Sequence, residues 1–448
     1  MESRIREHRS PFKPIIEPFQ EFTHRESAGG ILLLAATFIA LFWANSPWAE
    51  SYTALWRTPI SVAVGSHTLT ESFLDWINDG LMAMFFFVIG LEMKREILVG
   101  ELRSLRQAAF PLAAAIGGTI VPALLFTAFN INGQGQRGWA IPMATDIAFA
   151  LGILSLLGKR IPYSLKIFLA ALAIGDDLLA VLVIALFYTS TISWLNLGIG
   201  AAFLLLLILT NVFGVRHLLV YCVFGIGGLW LAFLVSGVHA TIAGVLAAMT
   251  IPARTGLGRR EFITRGQRLL RRFEAVTSED KPELANQERE DVTRRLDAAV
   301  KGVDTPLQRL EHALHPWVTV VIMPMFALAN AGIPFGADSF SSIADPIALG
   351  VMAGLLLGKP AGVLLGSWIA ITLGIARMPE GVTWSHMIGV GFLAGIGFTM
   401  SLFITGLAFS DEALSLSAKA GILLASGGAG SSGWIILQRI PVKIDAKI

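Results

Sequence analysis

The chain is a succession of apolar runs separated by short polar connections. Runs of about 20 residues cross the roughly 30 Å hydrocarbon core of a bilayer as helices. They occur at Gly29–Ala44, Phe73–Met93, Ala109–Phe129, Trp139–Leu157, Leu165–Tyr188 and Leu195–Val212. They return at Leu314–Gly332, Ile347–Ile371, Met387–Phe409 and Leu414–Leu437. Between the two groups, Leu218–Ile251 is too long for one span and too short for two full ones, and Ser236-Gly237 divides it into two short helices. Backbone groups in lipid must be satisfied within their own segment, so the pattern predicts an all-α membrane protein of twelve transmembrane helices. One stretch has a different period. "TPISVAVGSHTLT" alternates apolar and polar residues about Gly65-Ser66, which reads as a β-hairpin within 57–70 or as an ordinary loop. A hairpin there would offer a free edge to a second copy of the chain, giving a homodimer.

Composition agrees with the pattern. The chain is 54% hydrophobic and 15% charged, with a mean hydropathy of +0.67, which excludes an ordinary soluble domain. The single cysteine, Cys222, excludes an intrachain disulfide and a cysteine metal cluster. The charged N-terminus carries no cleavable signal pattern. The expected partner is the lipid bilayer and not nucleic acid.

The distribution of charge orients the spans. With twelve helices, the termini and every even-numbered loop share one side. Of the 34 Lys and Arg residues, only Arg57, Arg137 and Lys419 fall opposite, and Lys359 lies mid-span. By the positive-inside rule both termini are cytoplasmic. The expected organisation is then a cytoplasmic segment 1–28, spans one to eight within 29–250, a cytoplasmic charged loop 251–305, spans nine to twelve within 306–437, and a cytoplasmic tail 438–448. The hairpin would be periplasmic. The loop ("RRFEAVTSEDKPELANQEREDVTRRLDAAV") reads as a solvated helix or a partly disordered insert, with no chemistry assigned.

Charges inside the spans carry the candidate chemistry. Asp176 and Asp177 stand side by side in "LAIGDDLLAVLVIALFYT". An aspartate at the centre of a membrane helix costs about 2.5–3.5 kcal/mol on insertion scales. Such groups either hold the bundle together or face a pathway. Asp146 lies in "WAIPMATDIAFALG", beside the hydroxyl of Thr145 and four residues after Pro142, which breaks or kinks a helix. The eleventh span carries Gly391, Gly395 and Gly397, which weaken helix continuity. Two interrupted helices in corresponding places point to inverted-topology repeats, here spans three to five and ten to twelve. Broken helices expose partial charges at mid-membrane, positive at inner N-termini and negative at inner C-termini. Asp146 suits the former and Lys359, in "GLLLGKPAGVLL", suits the latter; alternatively Lys359 pairs with Asp176, or serves only as a structural ion pair.

These residues resemble a known family. "WINDGLMAMFFFVIGLEMKRE", "IPMATDIAFALGIL", "KIFLAALAIGDDLLAVLVIALFYT", "SGVHATIAGV", "RLEHALHPWV", "LLLGKPAGV" and "GIGFTMSLFI" follow in order through a chain similar to the NhaA sodium/proton antiporters from about Pro18 to Leu437. Inverted repeats are a known property of that family, so their expectation here is partly the same inference. The resemblance implies that Asp176 and Asp177 bind the ion and the protons. It places Thr145 and Asp146 where two interrupted helices cross at mid-membrane, facing Lys359. It assigns Glu92, Lys94, Arg95 and Glu96, with Glu311, His312 and His315, to a cytoplasmic cluster linked to pH activation, and makes His239 a further pH-sensing candidate. Asp79 is a periplasmic-side candidate. The long loop departs from the family's short connection.

The implied function is an electrogenic, pH-regulated Na+(Li+)/H+ antiporter of the bacterial inner membrane, without a cofactor. Sodium is a hard cation that takes oxygen ligands, so it and protons compete for the aspartate pair. Two alternatives stay open. A sodium-coupled organic-anion symporter could share the broken helices. An intramembrane aspartyl protease needs aspartates in other motif contexts and has no use for a buried lysine.

Overall fold

The computed structural model describes residues 26–64, 67–131, 133–189, 192–253, 259–275, 289, 291–297, 305–334 and 343–441. Residues 1–25, the expected turn Gly65-Ser66, much of the 251–305 loop and residues 442–448 lie outside the described residues.

The described residues are mostly helical. The chain opens with α1 (Glu26–Ala44), which turns by 113° into α2 (Ala49–Arg57). A two-stranded antiparallel hairpin follows, β1 (Pro59–Val64) with β2 (His67–Ser72), pairing Val64 with His67 and Pro59 with Ser72. Next come α3 (Phe73–Val99) and α4 (Leu105–Phe129). A 3-10 helix, Gln134–Met143, precedes α5 (Ile147–Leu156), and α6 (Tyr163–Phe187) and α7 (Trp194–Val212) continue the bundle. The shorter α8 (Leu218–Leu234) and α9 (Ala240–Thr250) meet at Gly237, whose φ of +84° favours glycine. Outside the bundle lie α10 (Arg259–Ala275) and a helical turn at 291–297. The chain closes with α11 (Pro306–Asn330), α12 (Pro346–Thr372), α13 (Trp384–Ala394), α14 (Phe398–Ala408) and α15 (Glu412–Arg439).

Among the described residues, eight helical stretches are fit by length and composition to cross a membrane, or up to ten if each of two bent pairs is one span. The pairs are α1 with α2, and α13 with α14, the latter bent by 44°. The expected hairpin is present, and so is the expected division of Leu218–Ile251. Helix α2 was not foreseen, because its nine residues mix charge and aromatics. Burial of Tyr52 and Trp56 holds it, and the Tyr52 hydroxyl donates to the Leu328 carbonyl at 2.8 Å.

Two features position the candidate site. The first is the contact of α4 with α12, where Gly117 faces Gly362 and Ala113 faces Gly366. A Cβ on Gly362 would collide with the Gly117 carbonyl, and one on Gly366 with that of Ala113. Small residues four apart let two membrane helices approach closely. The second is a π-helical segment, Gly354–Gly358, immediately before Lys359-Pro360. Proline removes a backbone donor and crowds the preceding turn, and a π segment there re-aims the side chain that follows. Val318–Ile322 does the same ahead of Pro324.

Gly362→Val should force α4 and α12 apart. A loss of about 1–3 kcal/mol is expected from overpacking, read as a lower melting temperature of the detergent-solubilised protein. An unchanged melting temperature would mean that the two helices do not depend on this approach.

Candidate functional site

The site is assembled at two breaks. The 3-10 helix ends at Met143, the backbone runs extended through Ala144, Thr145 and Asp146, and α5 begins at Ile147. The other break, Gly395–Gly397, separates α13 from α14. Each break leaves carbonyls at one helix end and amides at the next without intrahelical partners.

The two breaks satisfy each other. The Asp146 amide donates to the Ile396 carbonyl at 2.6 Å. The Thr145 hydroxyl lies 2.8 Å from the Ala394 carbonyl and the Ser401 hydroxyl 2.7 Å from that of Ile141. The Asp146 carboxylate caps both following helices. One oxygen accepts from the Phe149 amide at 3.1 Å. The other accepts from the Thr399 amide at 3.1 Å and from the Thr399 hydroxyl. The Phe398 amide donates to the Ser426 hydroxyl at 3.3 Å.

Lys359 completes the arrangement. It is fully buried, and its ammonium donates to the Met143 carbonyl, the last of the 3-10 helix. The same nitrogen lies 2.8 Å from Asp176 Oδ2. Both partners foreseen for Lys359, the helix C-terminus and Asp176, are therefore engaged at once. Thr145 Oγ1 also lies 2.6 Å from Asp176 Oδ2.

The neighbouring aspartates differ in how they are engaged. Consecutive residues on α6 point about 100° apart. Asp176 turns toward Lys359 and Thr145. Asp177 is 2% exposed and its Oδ1 has no hydrogen-bond partner among the described residues; the same holds for Asp176 Oδ1. Asp177 lies within electrostatic range of Asp176, Asp146, Glu92 and Lys359.

A charge balance follows from this geometry. A helix N-terminus carries about half a positive charge. Asp146 sits on two such termini, and Asp176 sits on Lys359. No described cation forms an ion pair with Asp177. Asp177 is thus the one of the three carboxylates that neither a helix N-terminus nor a described cation engages.

The second predicted group is only partly brought together. Arg95 bridges Glu311 at 2.6 Å and Glu96 at 3.0 Å, and His315 lies 4.0 Å from Glu92. Glu311 is buried, and its second oxygen is unpartnered among the described residues. Lys94 turns away, its ammonium meeting the Met249 and Ile251 carbonyls at 2.6 and 2.5 Å, where α9 ends. His312 is exposed. His239 is at the opposite end of α9, with Nε2 2.8 Å from the Tyr188 carbonyl just beyond α6. Asp79 lies in the π-helical segment Trp76–Leu81, and its carbonyl accepts from the Trp230 indole at 3.2 Å.

A cavity of about 490 Å3 joins the cluster to the aspartate helix. Glu92, Arg95, Glu96 and His315 line one part of it, and Ala170, Ala171 and Ile174 of α6 another. Ile174 is one helical turn before Asp177, so the two share a face of α6.

Comparison with known proteins decides the family. A family model described as "Na+/H+ antiporter 1" matches residues 20–437. The chain belongs to the Na+/H+ antiporter 1 family. Three relatives carry the name Na(+)/H(+) antiporter NhaA. The protein of Oleidesulfovibrio alaskensis is 51% identical over 428 residues, covering 96% of this chain and 95% of its own. That of Koribacter versatilis is 49% identical over 434 residues, covering 96% and 93%. That of Acidithiobacillus ferrooxidans is 48% identical over 433 residues, covering 96% and 99%. The antiporter family is one of membrane transporters and not of enzymes, so the aspartyl protease alternative falls.

Within this antiporter framework, Thr399 and Ser426 are site residues that the sequence reading missed. Thr399 follows the glycine cluster by two residues, as a first-turn hydroxyl would. Nothing in the sequence announces that it reaches across to Asp146, because 253 positions separate them.

Asp146→Ala removes the acceptor from two helix starts. A loss of about 2–4 kcal/mol is expected, since each lost cap costs roughly 1 kcal/mol and leaves buried donors unmet. Asp146→Asn keeps one acceptor oxygen and should lose less. Equal melting temperatures for wild type and Asp146→Ala would contradict the double-cap assignment.

Proposed function

We propose that the chain exchanges Na+, or Li+, for protons across the bacterial inner membrane, with both termini cytoplasmic. The observation that carries this reading is the uncompensated Asp177 carboxylate beside the Lys359–Asp176 pair. Sodium takes oxygen ligands. Asp176 and Asp177 supply carboxylate oxygens, and Thr145 and the carbonyls freed at the breaks lie close by. Sodium and protons use the same oxygens, so each excludes the other. No resident cofactor takes part; the ions are cargo.

Competition alone is enough for exchange when the empty site is costly to move. An uncompensated carboxylate in a low-dielectric interior is expensive to carry between the two membrane faces. A carboxylate neutralised by a proton or by Na+ is far less so. Two carboxylates discharged per sodium would move net charge, and each charge is worth about 2.3 kcal/mol per 100 mV. Transport would then be electrogenic.

The architecture that goes with this reading would be a twelve-helix bundle with inverted repeats. One repeat would be α4, the 3-10 helix with α5, and α6. The other would be α12, α13 with α14, and α15. The middle member of each is the interrupted one, and the two breaks hydrogen-bond to each other. Access would alternate by rocking one helix group against the other. The β1–β2 hairpin would lie on the periplasmic side and pair with a second copy through its free edge. Glu92, Arg95, Glu96 and His315 border the cavity leading to α6, Glu311 is bridged to them by Arg95, and this cluster would set the pH response.

Two outcomes test these assignments. Asp177→Asn should abolish sodium-driven proton flux in everted vesicles while the protein still inserts; full flux would sink the assignment. Replacing His312 and His315 together should displace the pH profile of exchange with the maximal rate kept. A profile identical to wild type would reduce the cluster to a solvated helix end.

A further inference from the structure

We propose that α10 is an interfacial helix that docks on the anionic headgroups of the bilayer holding the chain. Its sequence, RREFITRGQRLLRRFEA, sets six arginines against the two glutamates Glu261 and Glu274. At about 100° per residue, Phe262, Ile263, Leu269, Leu270 and Phe273 share a sector of roughly 120°. Part of that sector is covered within the chain: Leu269 is 8% exposed and Phe262 is half-buried, while Val292 of the 291–297 turn is fully buried. The rest is open. Ile263, Leu270 and Phe273 are 46%, 54% and 39% exposed.

The charges border the whole apolar sector. Arg260 and Arg271 lie beyond its open edge at Ile263, and Arg265 and Arg272 beyond its covered edge at Leu269. Arginine stems are long enough to bring their heads back toward a surface into which the apolar strip has settled. Arg295, itself paired with Asp291 at 2.9 Å, joins Arg260, Arg265, Arg268 and Arg272 around a groove whose one acidic lining residue among the described residues is Glu261. The four arginines of α10 thus outnumber the acid beside them there. An apolar sector bordered by arginines at both edges fits an anionic lipid surface. A free polyanion would take the arginines and leave Ile263, Leu270 and Phe273 in water.

Position adds to the argument. Helix α9 packs along α3 within the bundle and ends at Thr250, and α10 begins at Arg259. The connecting residues 251–258 reach at most about 30 Å, which keeps α10 near the end of the membrane bundle. Each arginine near an anionic surface contributes about fivefold to local partition.

The test uses the full chain in nanodiscs of phosphatidylcholine alone or of phosphatidylcholine with phosphatidylglycerol. Amide exchange over 259–275 is followed, together with an environment-sensitive dye on Leu270→Cys in a Cys222→Ser background. With phosphatidylglycerol, exchange should slow about tenfold and the dye emission should shift to the blue. Raising salt from about 0.15 to 1 M shortens the screening length from about 8 to 3 Å and should reverse both effects. The variant R260Q/R265Q/R268Q/R272Q should lose both effects. I263S/L270S should lose the protection with every arginine in place, separating docking from mere charge attraction. Equal exchange in the two lipids would overturn the proposal. So would protection by soluble RNA or polyphosphate but not by phosphatidylglycerol.

Discussion

A helix broken inside a membrane protein must find partners for the backbone groups it frees, because lipid offers none. Two breaks here meet that requirement by facing each other. Carbonyls of Ala394, Ile396, Ile141 and Met143 accept from Thr145, Asp146, Ser401 and Lys359, and the amides opening α5 and α14 share one carboxylate. The polar chemistry of Asp146 and Lys359 is therefore largely occupied by holding the backbone together. That occupation isolates the neighbouring group. Asp177 stands in the same buried region with no ion-paired cation among the described residues.

The functional reading grows from this inequality among buried charges. Three carboxyl groups lie near one ammonium and two helix N-termini. Asp146 is matched by the termini and Asp176 by Lys359. Under the proposed function, a mobile cation or a proton would complete Asp177. The cavity beside Ile174 brings the neighbourhood of Asp177 toward a cluster of titratable groups at the ends of α3 and α11. The groups that brace the breaks and the group proposed to exchange its ion are thus different residues, although all are acids or bases buried in apolar surroundings.

Much of this was legible in the sequence. Acidic residues inside apolar runs announce themselves, and Pro142 and the glycines of the eleventh span marked where helices fail. The halves of Leu218–Ile251 and the alternation of the hairpin could be read from local pattern. What could not be read is which distant group answers which break. Thr399 looks like an ordinary helix hydroxyl until Asp146 is set against it. Lys94 and Arg95 are neighbours in sequence but point about 100° apart on a helix, so one closes α9 and the other joins Glu311. His239, a further pH-sensing candidate by family position, lies at the end of α9 away from Lys94. Helix α2 escaped because nine residues of mixed polarity carry no clear period, and its aromatics are ordered by distant contacts, Tyr52 with carbonyls of α11 and Trp56 by stacking on Phe73.

The most direct test is calorimetric titration of the purified protein with Na+ at several pH values, repeated in buffers of different ionisation heat so that released protons are counted. The account predicts that sodium binding expels protons and that apparent affinity weakens steadily as the solution is made more acidic. Binding with constant affinity across that range, and with no proton release, would contradict it.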